Sequence, residues 1–149
     1  MKLELKNLKV LTSMSEATYC FTAIVYLNGK PFCYAKNRGN GGSNFYDKHE
    51  KFNGNYRETL NQIEDFCYSS FGYDLETWIA FEIDDQETKK ELKSLMKNKV
   101  VLFREGQIFS LNIKYIKTHH NVLEKKFSTS NILNAMNFDD AFSLFKQYA

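Results

Sequence analysis

Polar and apolar residues alternate at the start of the chain, as they do in half-buried β-strands. Between residues 3 and 10 the apolar positions form two alternating pairs, Leu3 with Leu5 and Leu8 with Val10. The skip between the pairs predicts a bulge in a first strand. In the segment 19–27 both alternating sets are apolar or aromatic, which predicts a central strand buried on both faces.

A β-hairpin is predicted around Asn28-Gly29, which directly follows this second strand. A type I′ turn needs positive φ at both central positions, and this dipeptide favours it strongly. The return strand is predicted from about Pro31 to Lys36, with Phe32 and Tyr34 on one face. Proline is tolerated at the first residue of a strand, where its missing N–H does little harm.

Helical spacing of apolar residues begins after residue 55. Asn55 and Glu58 resemble a capping box, and the helix that they open is predicted to end near Ser70. Asp74 is the predicted cap of a second helix. The pair Asp84-Asp85 either lies within that helix or starts a separate segment.

Further strands are predicted from residue 100 onward. Val100–Phe103 is a short apolar strand, residues 104–107 form a turn, and residues 109–115 alternate along a partner strand. A helix near 121–126 and a strand near 127–133 are both compatible with the next region. Asn137 is the predicted cap of a final helix, whose first turn carries two aspartates.

Strands and helices therefore occur in separate groups, and the strands are joined by hairpins. This order predicts an α+β fold, with an antiparallel β-sheet packed against two to four helices. At 149 residues the chain is expected to form one compact domain, residues 1–149.

Composition limits the classes of function. Hydrophobic residues make up 43% of the chain and charged residues 26%, and the formal net charge is +2. This charge is too small for bulk binding of duplex nucleic acid. The three cysteines show neither a disulfide pattern nor ligand spacing with histidine, so we expect buried thiols in a reducing cytoplasm. No signal peptide or membrane span is predicted, and no catalytic motif, cofactor or metal site is recognised. We therefore predict a non-enzymatic protein.

A glycine-rich loop, residues 37–44, follows the hairpin and is the candidate site. It matches neither the P-loop nor the dinucleotide-binding pattern. Glycine-rich backbone binds anions through exposed N–H groups, but it also simply turns corners, and both interpretations stay open. The candidate ligand-binding residues are Arg38, Gly39, Gly41, Gly42, Ser43, Asn44, Tyr46 and Arg57.

The chain resembles a group of small proteins encoded by bacteriophages and mobile elements of Bacteroidetes-type hosts. The resemblance rests on an Asn28-Gly29-Lys30 hairpin followed by Gly41-Gly42-Ser43 and then Tyr46, and it extends loosely along the chain. Members typically read N-D-G-x-G-G at the loop, whereas Arg38 here replaces the acidic residue. The resemblance implies an accessory phage protein in the host cytoplasm.

Three functions are compatible with this context. The first is sequestration of a nucleotide-derived immune signal, with Arg38 on phosphate, the backbone of residues 39–43 around it and Tyr46 stacked on the base. The second is inhibition of a host defence protein through an exposed aromatic patch. The third, less favoured, is binding of single-stranded nucleic acid. A homo-oligomer is plausible, and no membrane partner is expected. The basic residues expected to converge for the third function are Lys30, Lys36, Arg38, Lys114 and Lys117.

Overall fold

A computed structural model describes residues 1–129 and 131–149 of the protein. The chain divides into two compact units, residues 1–84 and 85–149. The first unit holds a four-stranded antiparallel sheet in the order β1-β2-β3-β4. Its elements are β1 (Leu3–Val10), β2 (Cys20–Leu27), β3 (Lys30–Arg38), β4 (Phe45–Lys48), α1 (Tyr56–Phe71) and the first part of α2 (Leu75–Asn98).

The second unit holds the rest of α2 and a three-stranded antiparallel sheet in the order β6-β5-β7. The predicted α+β class is thus confirmed, with two antiparallel sheets and four α-helices among the described residues. The single domain stays a prediction. The further elements are β5 (Val100–Arg104), β6 (Gln107–Leu111), α3 (His120–Phe127), β7 (Asn131–Ile132) and α4 (Phe138–Tyr148).

The predicted hairpin and bulge are both present in the first sheet. Asn28 and Gly29 have φ of 51° and 82°, and the two-residue turn joins Leu27 to Lys30 as a type I′ turn requires. The pairing of β1 with β2 shifts register between Lys6 and Lys9, where the skip in the hydrophobic pattern predicts it.

The burial of this sheet differs from the prediction. On β2, Phe21, Ala23 and Val25 are buried against α1 and α2, whereas Thr22 on the other face is exposed. The prediction of burial on both faces is therefore wrong: in the first unit, helices pack against one face only. We call the opposite face, which carries Thr22, the outer face.

The prediction that Phe32 and Tyr34 share a face is also wrong. A register shift opposite the start of β3 leaves Phe32 without a partner on β2 and changes the alternation. Phe32 and Cys33 are consequently both buried, and Tyr34 is exposed on the outer face. Hydrophobic periodicity alone does not predict the position of this register shift.

Caps define the helix boundaries as expected. The Asn55 side chain accepts a hydrogen bond from the Glu58 N–H at 3.1 Å and opens α1. Gly72, with φ of 82°, ends that helix, and Asp74 accepts from the Thr77 N–H at 2.8 Å to open α2. Helix α2 continues without interruption through Asp84-Asp85, so these residues do not start a separate helix.

In the second unit, the structure defines part of the region 121–133, for which the sequence was compatible with both a helix and a strand. Residues 120–127 form α3, and the next strand, β7, contains only Asn131 and Ile132. The alternative strand over 127–133 includes Ser130, which lies outside the described residues. Strand β6 ends at Leu111 and not near residue 115 as predicted. Asn137 caps α4, accepting from the Asp139 N–H at 2.9 Å, as predicted.

Candidate functional site

The strand register of the first sheet brings basic and aromatic side chains into one row on the outer face. Lys9 pairs with Thr22, Thr22 with Lys36, and Lys36 with Phe45, so the row crosses all four strands. Directly paired residues on neighbouring strands point to the same face. Arg38 pairs with Cys20 two residues farther along and therefore belongs to the same face.

A cavity of about 840 Å³ lies at this end of the outer face, and we call it the outer cavity. Its walls include Leu11, Met14 and Phe45, whose side chains are 54–55% exposed. Small-molecule sites typically combine such apolar walls with a few polar groups, in volumes of roughly 300–1,000 Å³. The outer cavity has the size and lining of a ligand site.

Three cations and one carboxylate line the outer cavity: Lys9, Lys36, Arg38 and Glu16. Lys36 makes a loose ion pair with Asp47 at 3.9 Å, in which both side chains are more than half exposed. Neither Lys9 nor Arg38 takes part in any ion pair found within the described part of the chain. Lys9 and Arg38 thus line the cavity without an ion-pair partner of this kind, beside the Glu16 carboxylate.

The glycine loop is held together from within by Asn37, which is only 6% exposed. Its Oδ1 accepts from the Gly39 N–H at 2.8 Å and from the Thr18 hydroxyl at 2.9 Å. Its Nδ2 donates to the Gly42 carbonyl at 2.8 Å and to Asn44 Oδ1 at 3.0 Å. These four hydrogen bonds all hold the loop in its shape, so the role of Asn37 is structural.

Glycine is required at position 39 for two reasons: the backbone there lies very close to other atoms, and its φ is positive. Its φ is 86°, and a Cβ there would lie 2.9 Å from the Cys20 Cβ and still closer to the Met14 carbonyl oxygen. The Gly39 carbonyl accepts from the Glu16 and Ala17 N–H groups at 2.9 and 3.1 Å. This residue therefore joins the segment after β1 to the end of β3 and shapes the wall of the outer cavity.

The remaining predicted loop residues face a different, smaller cavity. Gly41, Gly42, Ser43 and Asn44 line a space of about 170 Å³ that we call the inner cavity. The Glu76 carboxylate also lines it and accepts from the Asn44 N–H at 2.5 Å. A carboxylate at this position repels phosphate, and the space is too small for a nucleotide.

The structure does not bring the predicted residues together in one place. Arg38 lies in the outer cavity, whereas residues 41–44 line the inner one. Tyr46 packs against the core of the first unit, with its hydroxyl accepting from Asn44 Nδ2 at 3.2 Å, and burial raises its pKa. Arg57 is an exposed residue of α1 and lines neither cavity.

Lys9 and Phe45 are not among the predicted site residues, and Lys36 is predicted only for nucleic-acid binding. Phe45 is 54% exposed on the outer face. The alternation of side chains along β4 predicts that Phe45 and Tyr46 lie on different faces, since adjacent residues of a strand point to opposite faces. Choosing between the two rings requires knowledge of which face the helices cover.

The basic residues predicted for nucleic-acid binding are distributed over several places. Lys36 and Arg38 share the outer cavity, and Lys30 lies at the other end of β3. Lys114 and Lys117 belong to the second unit.

The three cysteines are buried, as expected, and none of them forms a disulfide bond. Burial raises the pKa of the Cys33 thiol to about 12, and that of Cys67 to about 11. Such thiols are poor nucleophiles at neutral pH because almost none of the thiolate forms. In residues 1–129 and 131–149 no group of three potential ligands is placed to hold a metal ion.

Comparison of the chain with models of protein families, with curated proteins and with solved structures finds no match. Within the described ranges, no helix combines the length and the apolar character needed to cross a membrane.

Proposed function

We propose that this protein is a non-enzymatic binding protein that captures a nucleotide-like anion in the outer cavity. One observation carries the proposal: the strand register places Lys9, Lys36 and Phe45 in one row, with Arg38 beside it, around a space of nucleotide size. A nucleotide needs a cationic group for phosphate and an apolar surface for the base, and the outer cavity contains both.

Each side chain has a distinct task in this proposal. Arg38 forms the bidentate contact with phosphate, because its planar guanidinium matches two phosphate oxygens. Lys36, on the same strand as Arg38, and Lys9, on β1, add positive charge. Phe45, and not Tyr46, stacks on the base, because Tyr46 packs into the core. Of the loop, Asn40 lines the outer cavity and residues 41–44 line the inner one, so the loop does not cradle the phosphate.

The resemblance to phage proteins supports a biological setting for this capture. We propose that the protein acts inside the host as an inhibitor of antiviral defence, by sequestering a nucleotide-derived immune signal. Sequestration requires tight binding and no turnover. A cavity that contains cations and rings but no recognised catalytic group fits that requirement.

Thermal-shift screening of linear and cyclic nucleotides tests the proposal. A nucleotide present at 100 times its Kd stabilises the folded state by about 2.7 kcal/mol and raises the Tm measurably. Arg38→Ala is expected to abolish the shift. Arg57→Ala is the matched control, since it removes an exposed arginine that lines neither cavity, and its shift should equal that of the wild type. The proposal fails if no nucleotide shifts the Tm, or if both variants respond alike.

Single-stranded nucleic acid is a second candidate, favoured by the same row of cations and rings across an open sheet face. Stacking on a sheet surface next to basic residues is a common mode of single-strand recognition. Fluorescence anisotropy with labelled mononucleotide, trinucleotide and hexanucleotide separates the two candidates. A mononucleotide site gives affinity independent of length, whereas a strand-binding face gives affinity that rises steeply with length and falls with salt.

A further inference from the structure

A cluster of aromatic rings occupies the corner between α1 and α2 in the first unit. Phe66 contacts Phe71 with ring centroids 5.6 Å apart, Phe71 stacks on Tyr73 at 5.8 Å, and Tyr73 meets Phe81 at 5.1 Å. We call these four residues the aromatic corner. Phe81 is 49% exposed and Phe71 is 41% exposed, so large parts of two rings face solvent.

The corner is held in place by the hydrogen bonds that cap its two helices. Gly72 ends α1 in the left-handed conformation, and its N–H donates to the Tyr68 carbonyl at 3.0 Å. Asp74 caps α2, and Glu64 accepts from the Leu75 N–H at 3.1 Å. Leu75 itself is fully buried. The rings are therefore presented by a built turn between two packed helices.

The charge of this segment is of one sign. Between residues 58 and 84 the sequence contains no Lys, Arg or His. Several of its acids have structural partners, including Glu76 with Asn44, and Asp84 with Tyr19. Asp65, next to Phe66 on α1, is exposed. The carboxylates of the segment are Glu58, Glu64, Asp65, Asp74, Glu76, Glu82 and Asp84.

Four rings elsewhere in the described part of the chain, those of Tyr26, Phe127, Phe138 and Phe142, have a lysine of the protein over them. In the second unit Lys89 lies 5.0 Å from the centroid of Phe142, and Lys93 lies 5.0 Å from that of Phe138. Across the described part of the chain, no lysine or arginine is found over a ring of the aromatic corner. The corner thus has electron-rich faces, lies in a segment with carboxylates and no base, and has no cation found over its rings.

We infer that the aromatic corner is a docking surface for an arginine-rich segment of a partner protein. A guanidinium stacks on an aromatic face and gains a cation–π attraction, which is larger when the pair is shielded from water. Arginine is preferred to lysine for this role because its planar group stacks and is more weakly hydrated. Carboxylates such as Asp65 add attraction for the basic segment and repel nucleic acids and anionic lipid.

Binding of labelled peptides tests this inference. The probes are fluorescein-labelled decapeptides with four arginines in a Gly/Ser background, and matched peptides in which citrulline replaces each arginine. Citrulline keeps the size and planarity of the side chain and removes its charge. The arginine peptide is expected to bind with affinity at least tenfold higher than the citrulline peptide, and to weaken as salt rises.

Variants assign the peptide to the corner. Phe81→Ser is expected to lower the affinity at least tenfold, and Asp65→Asn several-fold without loss of the fold. Phe109→Ser is the matched control, because Phe109 is 42% exposed but belongs to the second unit, and it should bind as the wild type does. Equal binding by wild type and Phe81→Ser overturns the inference, as does failure of the arginine peptide to bind. Self-association that Phe81→Ser abolishes would also overturn it, by assigning the surface to a second copy of the chain.

Discussion

The outer face of the first sheet and the aromatic corner are two exposed aromatic surfaces of one unit with opposite charge. On the outer face, three cations from two strands and Phe45 line the same cavity. At the corner, rings of α1 and α2 lie in a segment with carboxylates and no base. The comparison shows that aromatic exposure does not identify a partner, because the charge around the rings decides whether phosphate or guanidinium is attracted.

The two surfaces also differ in how they are built. The outer face depends on long-range contacts, since Gly39 and Asn37 join loops distant in the sequence. The corner depends on one short turn and two helix caps. Mutations in the first region should therefore disturb the fold more than mutations in the second.

The largest effect is expected for Gly39→Ala. A Cβ would lie 2.9 Å from the Cys20 Cβ, on a residue with φ of 86°. Strain and overlap together are expected to cost about 3 kcal/mol of unfolding free energy. Gly42→Ala is the control, because Gly42 lacks a positive φ and its nearest neighbour would be 3.9 Å away. Urea denaturation measures the unfolding free energy of both variants. Equal stability of the two would contradict the steric role assigned to Gly39.

Asn37→Ala should have the next largest effect. It removes the acceptor of the Gly39 N–H, which is left buried and unpaired, and the donor to the Gly42 carbonyl. We expect a loss of about 2 kcal/mol in unfolding free energy, together with weaker nucleotide binding. Thermal and chemical denaturation test the first effect, and titration with nucleotide tests the second. A variant as stable as the wild type would show that the loop does not depend on this side chain.

Charge reversal at each surface should affect one ligand only. Arg38→Glu is expected to weaken nucleotide binding by tenfold or more, which is about 1.4 kcal/mol, and to leave the arginine peptide unaffected. Asp65→Lys is expected to do the reverse. Both ligands are titrated against both variants at fixed salt. Loss of both ligands in either variant would mean that the two surfaces are not independent.

The smallest effect concerns the cap of α2. Hydrogen bonding to Thr77 lowers the pKa of Asp74 below its ordinary value of 3.8. The folded pKa is therefore the lower one, so this stabilisation is complete above about pH 4–5 and is lost as pH falls through the folded pKa.

Asp74→Ala should cost about 1 kcal/mol at pH 7. Asp74→Asn retains a capping oxygen, and we expect it to be close to wild type at pH 7 and less sensitive to acid. Urea denaturation between pH 3 and 7 measures the unfolding free energy of both variants and its dependence on pH. A loss in Asp74→Asn as large as that in Asp74→Ala would show that the charge, and not the cap, stabilises the helix.

Much of the fold can be predicted from the sequence because its signals are local. The Asn28-Gly29 turn, the skip in β1 and the caps Asn55 and Asp74 each act within a few residues. Positive φ at the turn and a side-chain oxygen at a helix start are properties of short segments. The α+β class follows from the order in which those segments occur.

The candidate site could be only partly predicted. The glycine loop and Arg38 attract attention by composition, and Arg38 does lie in the outer cavity. Phe45 and Tyr46 are equivalent by sequence, yet the first is half exposed and the second packs into the core. Which ring faces solvent depends on where α1 and α2 pack, and these helices come later in the chain.

The hairpin, the helix caps Asn55, Asp74 and Asn137, and the lack of basic residues in the segment 58–84 can be read from the sequence alone. Which face of the sheet is open, and the use of Asn37 and Gly39 in internal hydrogen bonds, follow from the tertiary structure. These contacts join residues far apart in the sequence: the hydrogen bond from Thr18 to Asn37 spans 19 residues, and that from Asn44 to Glu76 spans 32. Contacts over such distances depend on the packing of whole elements, which no local pattern specifies.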